Sequence, residues 1–195
     1  AFSGHSTGLT IDGDYLYTGI SDAENSGLAI LPIPEGNINP AVSSMLEIEA
    51  DINSKPAVYG DYAYIAARND GFFIIDISDK DNPREVAQIE SRRESYDLDV
   101  ENGFLYVADG NLNIYDLDIP EQPQVIYEFD PPDTVYHVSI RGGHAFLYTG
   151  HPNVRKALMI LDVSDPENPV ITGYQNAPYI KDSSIDSNLL YLLDA

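Results

Sequence analysis

Histidine and aspartate are the residue types here that could combine for acid–base or metal chemistry. The 195 residues hold four His, no Cys, and 32 Asp and Glu. Imidazole titrates near neutral pH and ligates metals. Carboxylates serve as hard oxygen ligands or as general bases. Without Cys there is no disulfide, no Cys-based zinc site and no Cys nucleophile. The candidates share a position. Each stands nine residues before an aromatic that recurs along the chain, at Tyr17, Tyr64, Tyr106, Phe146 and Tyr191. That position is Gly8, Lys55, Asp97, His137 and Asp182, and two residues further on come Thr10, Ala57, Asp99, Ser139 and Ser184. Its neighbours stay apolar, as in Leu98 and Val100 or Val138 and Ile140. A position that varies inside a constant frame is not needed by the frame, so it is available for a ligand. Lys55, Asp97, Asp99, His137 and Asp182 are therefore candidate binding residues. Asp97, His137 and Asp182 are the set that could hold a divalent cation such as calcium, or act as an acid–base group.

A lengthened loop from His151 to Lys156 adds His151 and Arg155 to these candidates. Arg68 and Asn69 occupy the matching loop two repeats earlier, and Tyr136 and Tyr179 could wall a site. The competing reading is that all of these are solvated loop and strand-end residues. His5 and His144 are incidental on either reading. No Gly-x-Ser-x-Gly elbow, P-loop or His-Glu-x-x-His occurs. A glycosidase-type carboxylate pair stays open, because 32 acidic residues offer many pairs.

Residues that recur from repeat to repeat serve the repeat instead, although the first repeat departs with Leu28-Ala29-Ile30-Leu31-Pro32. Asp76, Asp116 and Asp162 each end an apolar run, where a carboxylate can accept backbone N–H groups of the following turn. Ser78 and Ser164, two residues on, can do the same. Tyr62 and Tyr64 flank Ala63, share a strand face and are expected in the core. Asp79, Asp81 and Asn82 superficially resemble a calcium loop. The loop glycine is missing and Pro83 sits at a ligand position, so an EF-hand is rejected.

The elements that must position these residues follow from the repeat. The anchors are 47, 42, 40 and 45 residues apart. Each unit holds four short runs: an alternating one such as Asp97–Val100, a Tyr-rich one such as Tyr62–Tyr64, an apolar one ending in Asp, and one after a Pro such as Arg84–Ile89. β-branched and aromatic residues fill the runs, and Gly, Asn, Asp and Pro punctuate them. No apolar period of 3.6 persists, so no helix is expected. Four strands repeating at this length predict an all-β chain, a β-propeller fragment of about four and a half four-stranded antiparallel blades in an open arc. The units run over about 5–51, 52–92, 93–133, 134–178 and an incomplete 179–195.

Specific residues carry a family resemblance. They are Gly60–Tyr64, Phe73-Ile74-Ile75-Asp76-Ile77-Ser78-Asp79, Met159-Ile160-Leu161-Asp162-Val163-Ser164-Asp165-Pro166, and the pairs Asn82-Pro83 and Asn168-Pro169. With them the chain resembles the LVIVD-repeat family of bacterial and archaeal propellers, most clearly in the second and fourth repeats. The resemblance implies a propeller in an extracytoplasmic or cell-surface setting and implies no activity. A binding module for a protein, glycan or ion is the leading expectation. A metal-dependent hydrolase or lyase, or a passive spacer in a larger surface protein, are the alternatives. Ala1, and an end at Tyr191-Leu192-Leu193-Asp194-Ala195 that cuts a strand, suggest that further blades or domains of a longer polypeptide complete it. The net charge of −22 argues against nucleic acid as a partner. No apolar run approaches 18 residues, so no transmembrane helix is expected.

Overall fold

The computed structural model describes residues 5–21, 26–33, 44–150, 156–176, 180–186 and 189–194. All of its regular structure is β. The first blade is β1 (His5–Asp12), β2 (Tyr15–Ser21), β3 (Gly27–Pro32) and β4 (Ser44–Glu47). The second is β5 (Ala57–Tyr59), β6 (Tyr62–Ala66), β7 (Phe72–Asp76) and β8 (Arg84–Ile89). The third is β9 (Asp97–Glu101), β10 (Phe104–Ala108), β11 (Leu112–Asp116) and β12 (Gln124–Phe129). The fourth is β13 (Thr134–Arg141), β14 (His144–Gly150), β15 (Lys156–Asp162) and β16 (Val170–Asn176). Each is a four-stranded antiparallel sheet in sequential order, and β17 (Ile180–Asp186) with β18 (Leu189–Asp194) forms a two-stranded fifth. These are the blades of a β-propeller, as the repeat predicts.

Local chemistry explains the meander. Asn102-Gly103 and Gly142-Gly143 take positive φ at both positions (53° and 83°, 59° and 74°), so two-residue turns join β9 to β10 and β13 to β14. The residue after each third strand donates its amide back to that first hairpin: Ile77 to Asp61 (2.8 Å), Leu117 to Gly103 (2.9 Å) and Val163 to Gly143 (2.8 Å). The end of the third strand is thereby pinned to the turn two strands away.

The chain forms two compact units. One comprises residues 1–97 and 120–122, the other residues 98–119 and 123–195. In the first, Tyr17, Leu28 and Ile30 of blade one pack with Ile65, Phe73 and Ile75 of blade two. In the second, Tyr106, Leu112 and Ile114 of blade three pack with Val138, Leu147 and Leu161 of blade four. Each core therefore lies between consecutive sheets, where alternate residues of neighbouring strands meet. Tyr17, Tyr64 and Tyr106 are buried, as expected of the aromatic strand, whereas Tyr62 is half-buried.

The turn after a third strand meets the aromatic strand of the preceding blade. It does so through phenol hydrogen bonds at Tyr62 and Tyr64 but through ring contacts at Tyr15 and Tyr17, where the buried Tyr17 Oη has no hydrogen-bond partner among the described residues. Lys80 Nζ stands 5.9 Å from the Tyr15 ring and 6.0 Å from the Tyr17 ring, and the Ser44 hydroxyl donates to the Lys80 carbonyl (2.6 Å). Tyr62 Oη donates to Glu121 Oε1 (2.6 Å) and Tyr64 Oη to the Pro120 carbonyl (3.3 Å). Those two bonds explain why residues 120–122 belong to the first unit. Burial pushes the Tyr17 and Tyr106 phenols up to about 12 and raises Tyr64 as well, because a phenolate loses more hydration than a phenol.

Candidate functional site

The repeated aspartates are consumed by the blade turns. Asp76 Oδ1 accepts the Ser78 amide (2.9 Å) and hydroxyl (2.6 Å), and Asp162 Oδ1 accepts the Ser164 amide (2.9 Å) and hydroxyl (2.6 Å). Asp116 Oδ1 accepts the Asp118 amide (2.7 Å). Ser78 and Ser164 thus donate to the carboxylate rather than duplicate it. A second carboxylate repeats the device: Asp79 accepts the Asn82 carboxamide (2.9 Å) and the Asp81 amide (3.1 Å). Asp165 accepts Asn168 (3.0 Å) and Glu167 (3.2 Å) in the same way. Donors aimed at a carboxylate favour its charged form. The Asn82 carboxamide accordingly holds Asp79 below the usual carboxylate range, and the Ser164 hydroxyl does so for Asp162.

The varied positions fall on or beside the first strands. Within the first unit, Gly8 and Lys55 are neighbours, since a Cβ on Gly8 would lie 2.7 Å from Lys55 Cβ. The Thr7 hydroxyl donates to the Ser54 carbonyl (2.6 Å) and the Thr10 hydroxyl to the Pro56 carbonyl, so β1 and the entry to β5 run side by side. Lys55 is half-buried, and Asp97 is buried at the start of β9. Within the second unit, β13 lies against β17, so His137 and Asp182 hold equivalent places on adjacent strands. Tyr136 and His137 are half-buried. Asp99 acts as a brace: its carboxylate accepts the Ile140 amide (2.9 Å) and the Val100 amide (3.0 Å). Glu101 extends the brace by accepting Gly142 (2.8 Å) and Gly143 (2.9 Å). His151, Arg155 and Tyr179 lie outside the described residues, as does the side chain of Asp182. Among the described residues, no three His, Asp or Glu gather to hold a metal.

A bulge precedes the varied position in three blades. Thr7, Tyr136 and Lys181 are the extra residues, immediately before Gly8, His137 and Asp182. Bulges re-aim the side chains around them. Loops between second and third strands meet the entries to the following first strands. Arg68 bridges Ser95 in the first unit, and Gly110 bridges Val135 in the second. Arg68, at φ 41°, sets Nε 2.9 Å from Asp51 and Nη1 3.6 Å from Glu94.

One polar group escapes the comparison of first strands. Asp109 and Asn113 are buried in and after the β10–β11 loop, with Asn111 between them. At the place of Asp109 the other four-stranded blades carry Ile20, Ala67 and Thr149, and at the place of Asn113 they carry Ala29, Phe73 and Met159. The signal was present in the aligned repeats, one strand away from the column that varies most obviously.

The sequence profile of the family described as LVIVD repeat matches residues 54–90, 92–123 and 135–176. No curated protein matches the sequence. Among solved structures, the chain is similar to the computationally designed Ika8 protein, at 10% identity and a TM-score of 0.70, over 97% of this chain and 56% of that one. It is similar to a Bacteroides uniformis protein assigned as a 6-phosphogluconolactonase, at 12% identity and TM-score 0.73, over 95% of this chain and 62% of that one. A third is BamB from Moraxella catarrhalis, at 14% identity and TM-score 0.55, over 72% and 39%. The chain thus spans little more than half the length of the designed protein, and identities this low show the fold alone.

Proposed function

This chain belongs to the LVIVD-repeat family, and from that premise we propose that it is an extracytoplasmic binding module for a protein or glycan. Within each unit, the ligand surface is formed by the entries to the first strands together with the loops between second and third strands. The observation that supports this is the division of labour between repeated and varied residues. Repeated carboxylates are spent on turn amides, while Lys55 and His137 vary at equivalent places where strands begin or bulge. Chemistry that differs from blade to blade at equivalent places suits recognition of a heterogeneous surface. Catalysis would need a convergent constellation. The setting rests on the family alone.

The test is a binding screen of the chain against a glycan array and a displayed peptide library. The hit is then measured with wild type, Lys55→Ala/His137→Ala and the scaffold control Val125→Ala, at an exposed position on β12. The double variant is expected to lose at least about tenfold in affinity, or about 1.4 kcal/mol, with the control unchanged. No ligand in either screen, or equal affinity across the three, overturns the reading. For the setting, the protein should be cleaved by protease added to intact cells, and full protection argues against it.

A further inference from the structure

We propose that Asp109, Asn111 and Asn113 in the β10–β11 hairpin form a site for a calcium-sized cation. The five residues Asp109-Gly110-Asn111-Leu112-Asn113 place oxygen-bearing side chains at alternate positions. The structure joins the Asn113 and Asp109 side chains directly and ties Asn111 to Asp109 through its backbone. Asn113 Nδ2 donates to Asp109 Oδ2 (2.8 Å), and the Asn111 amide donates to Asp109 Oδ1 (3.3 Å). The Asp109 amide in turn donates to the Asn111 carbonyl (3.1 Å), closing the loop on itself. With Nδ2 fixed on the carboxylate, Oδ1 of Asn113 is fixed beside it. That oxygen is buried and accepts no hydrogen bond, and so is Oδ1 of Asn111.

Two buried acceptors without donors, next to a buried carboxylate, are costly unless something positive meets them. The residue is 8% exposed at Asn113 and 4% at Asp109, so bulk water does not reach these groups freely. The repeat shows that the scaffold does not require them. Ala67 and Phe73, or Thr149 and Met159, fill the same two places in the flanking blades. Carboxylate and carboxamide oxygens are the ligands calcium takes, in flexible geometry and with backbone carbonyls or waters completing the shell. Magnesium, which demands near-ideal octahedral geometry, fits such a pre-set hairpin less well. A single carboxylate makes the site weak, with a Kd on the order of 10⁻³ M, as in extracellular modules. The place is functional in the fold, because Gly110 of the same loop accepts the Val135 amide (2.9 Å) at the entry to β13. An ion there would stiffen the strand that carries Tyr136 and His137. The proposal does not depend on the nature of the ligand in the preceding section.

Thermal melts of the chain test this, in chelator and then in calcium chloride, magnesium chloride and sodium chloride at matched ionic strength. Wild type is expected to gain about 3–6 °C in calcium at about ten times Kd, beyond the sodium control. The variant Asp109→Ala/Asn113→Met carries side chains that the neighbouring blades tolerate. It should melt no lower than wild type in chelator and lose the calcium-specific gain, with affinity by calorimetry weakened at least about tenfold. A wild type with no gain over sodium chloride overturns the proposal, as does an equal gain in the variant. An equal gain would place the calcium elsewhere on the acidic surface.

Discussion

Asp76 accepts four hydrogen bonds: the amide and hydroxyl of Ser78, and Nε (3.0 Å) and Nη2 (2.6 Å) of Arg84. All four favour the carboxylate over the carboxylic acid, the Ser78 hydroxyl most, and they lower its pKa from 3.8 to about 2. A carboxyl whose folded value is depressed adds stability above its unfolded value. That stability is lost as pH falls through the folded value. The window here therefore runs from about pH 4 down to about 2. Because the Arg84 side chain is 72% exposed, its share is screened, and the whole is worth roughly 1–2 kcal/mol. Asp76→Ala is expected to lower Tm at pH 7 by about 2–8 °C, with the gap closing as pH falls below 4. Melts from pH 7 to pH 2 check this, and a gap that persists at pH 2 contradicts it. The turn-capping role was legible, because a repeated Asp followed two residues on by Ser has one common use. Arg84 was not legible, because it meets Asp76 only through the register of β7 against β8, where the other blades pair Asp116 with Gln124 and Asp162 with Val170.

At the scale of elements, glycine marks where the third strand crowds the fourth. A Cβ at Gly71 would lie 2.0 Å from the Ile89 carbonyl oxygen and 2.9 Å from the Ser91 amide nitrogen, at φ 75°. Gly60, at φ 59°, has nothing within 4 Å. Gly60→Ala therefore meets only the conformational penalty of about 1–2 kcal/mol. Gly71→Ala must also displace backbone, and is expected to cost at least about 3 kcal/mol. Urea melts of the two variants measure the difference, and equal midpoints would show that the β7–β8 end relaxes freely. The strands themselves were largely legible. Arg84–Ile89 and Phe72–Asp76 appear where alternation and the terminal Asp predict them. The bulges were not, because one extra residue breaks the two-residue period without changing composition. The same break recurs on the fourth strands, where Val86, Ile126 and Thr172 are the unpaired residues. Asp109 and Asn113 were missed for a related reason. Their two columns hold Ala67 and Phe73, or Thr149 and Met159, in the flanking blades, with no charge among them, so only the burial of polar atoms draws attention to them.

At the scale of the molecule, the net charge of −22 acts on two cores that each hold a pair of blades together. Ten Lys and Arg against 32 Asp and Glu leave most carboxylates without a cation, and three of the turns satisfy theirs with neutral donors instead. Such donors orient a carboxylate but do not cancel its field. Self-repulsion therefore opposes the compact state over a distance set by salt, about 30 Å at 0.01 M and about 8 Å at 0.15 M. This much was legible from composition. The place of residues 120–122 in the first unit was not, because it rests on Pro120 and Glu121 reaching Tyr64 and Tyr62, which no local pattern announces. Repulsion spread over the whole surface has a distinct signature. Tm should rise with sodium chloride between 0.01 and 0.15 M and level off above it, and Asp109→Ala/Asn113→Met should follow the same curve as wild type. A flat curve would mean that the carboxylates are too far apart to repel at low salt. A curve that the double variant flattens would place the destabilising charge in the β10–β11 hairpin rather than across the surface.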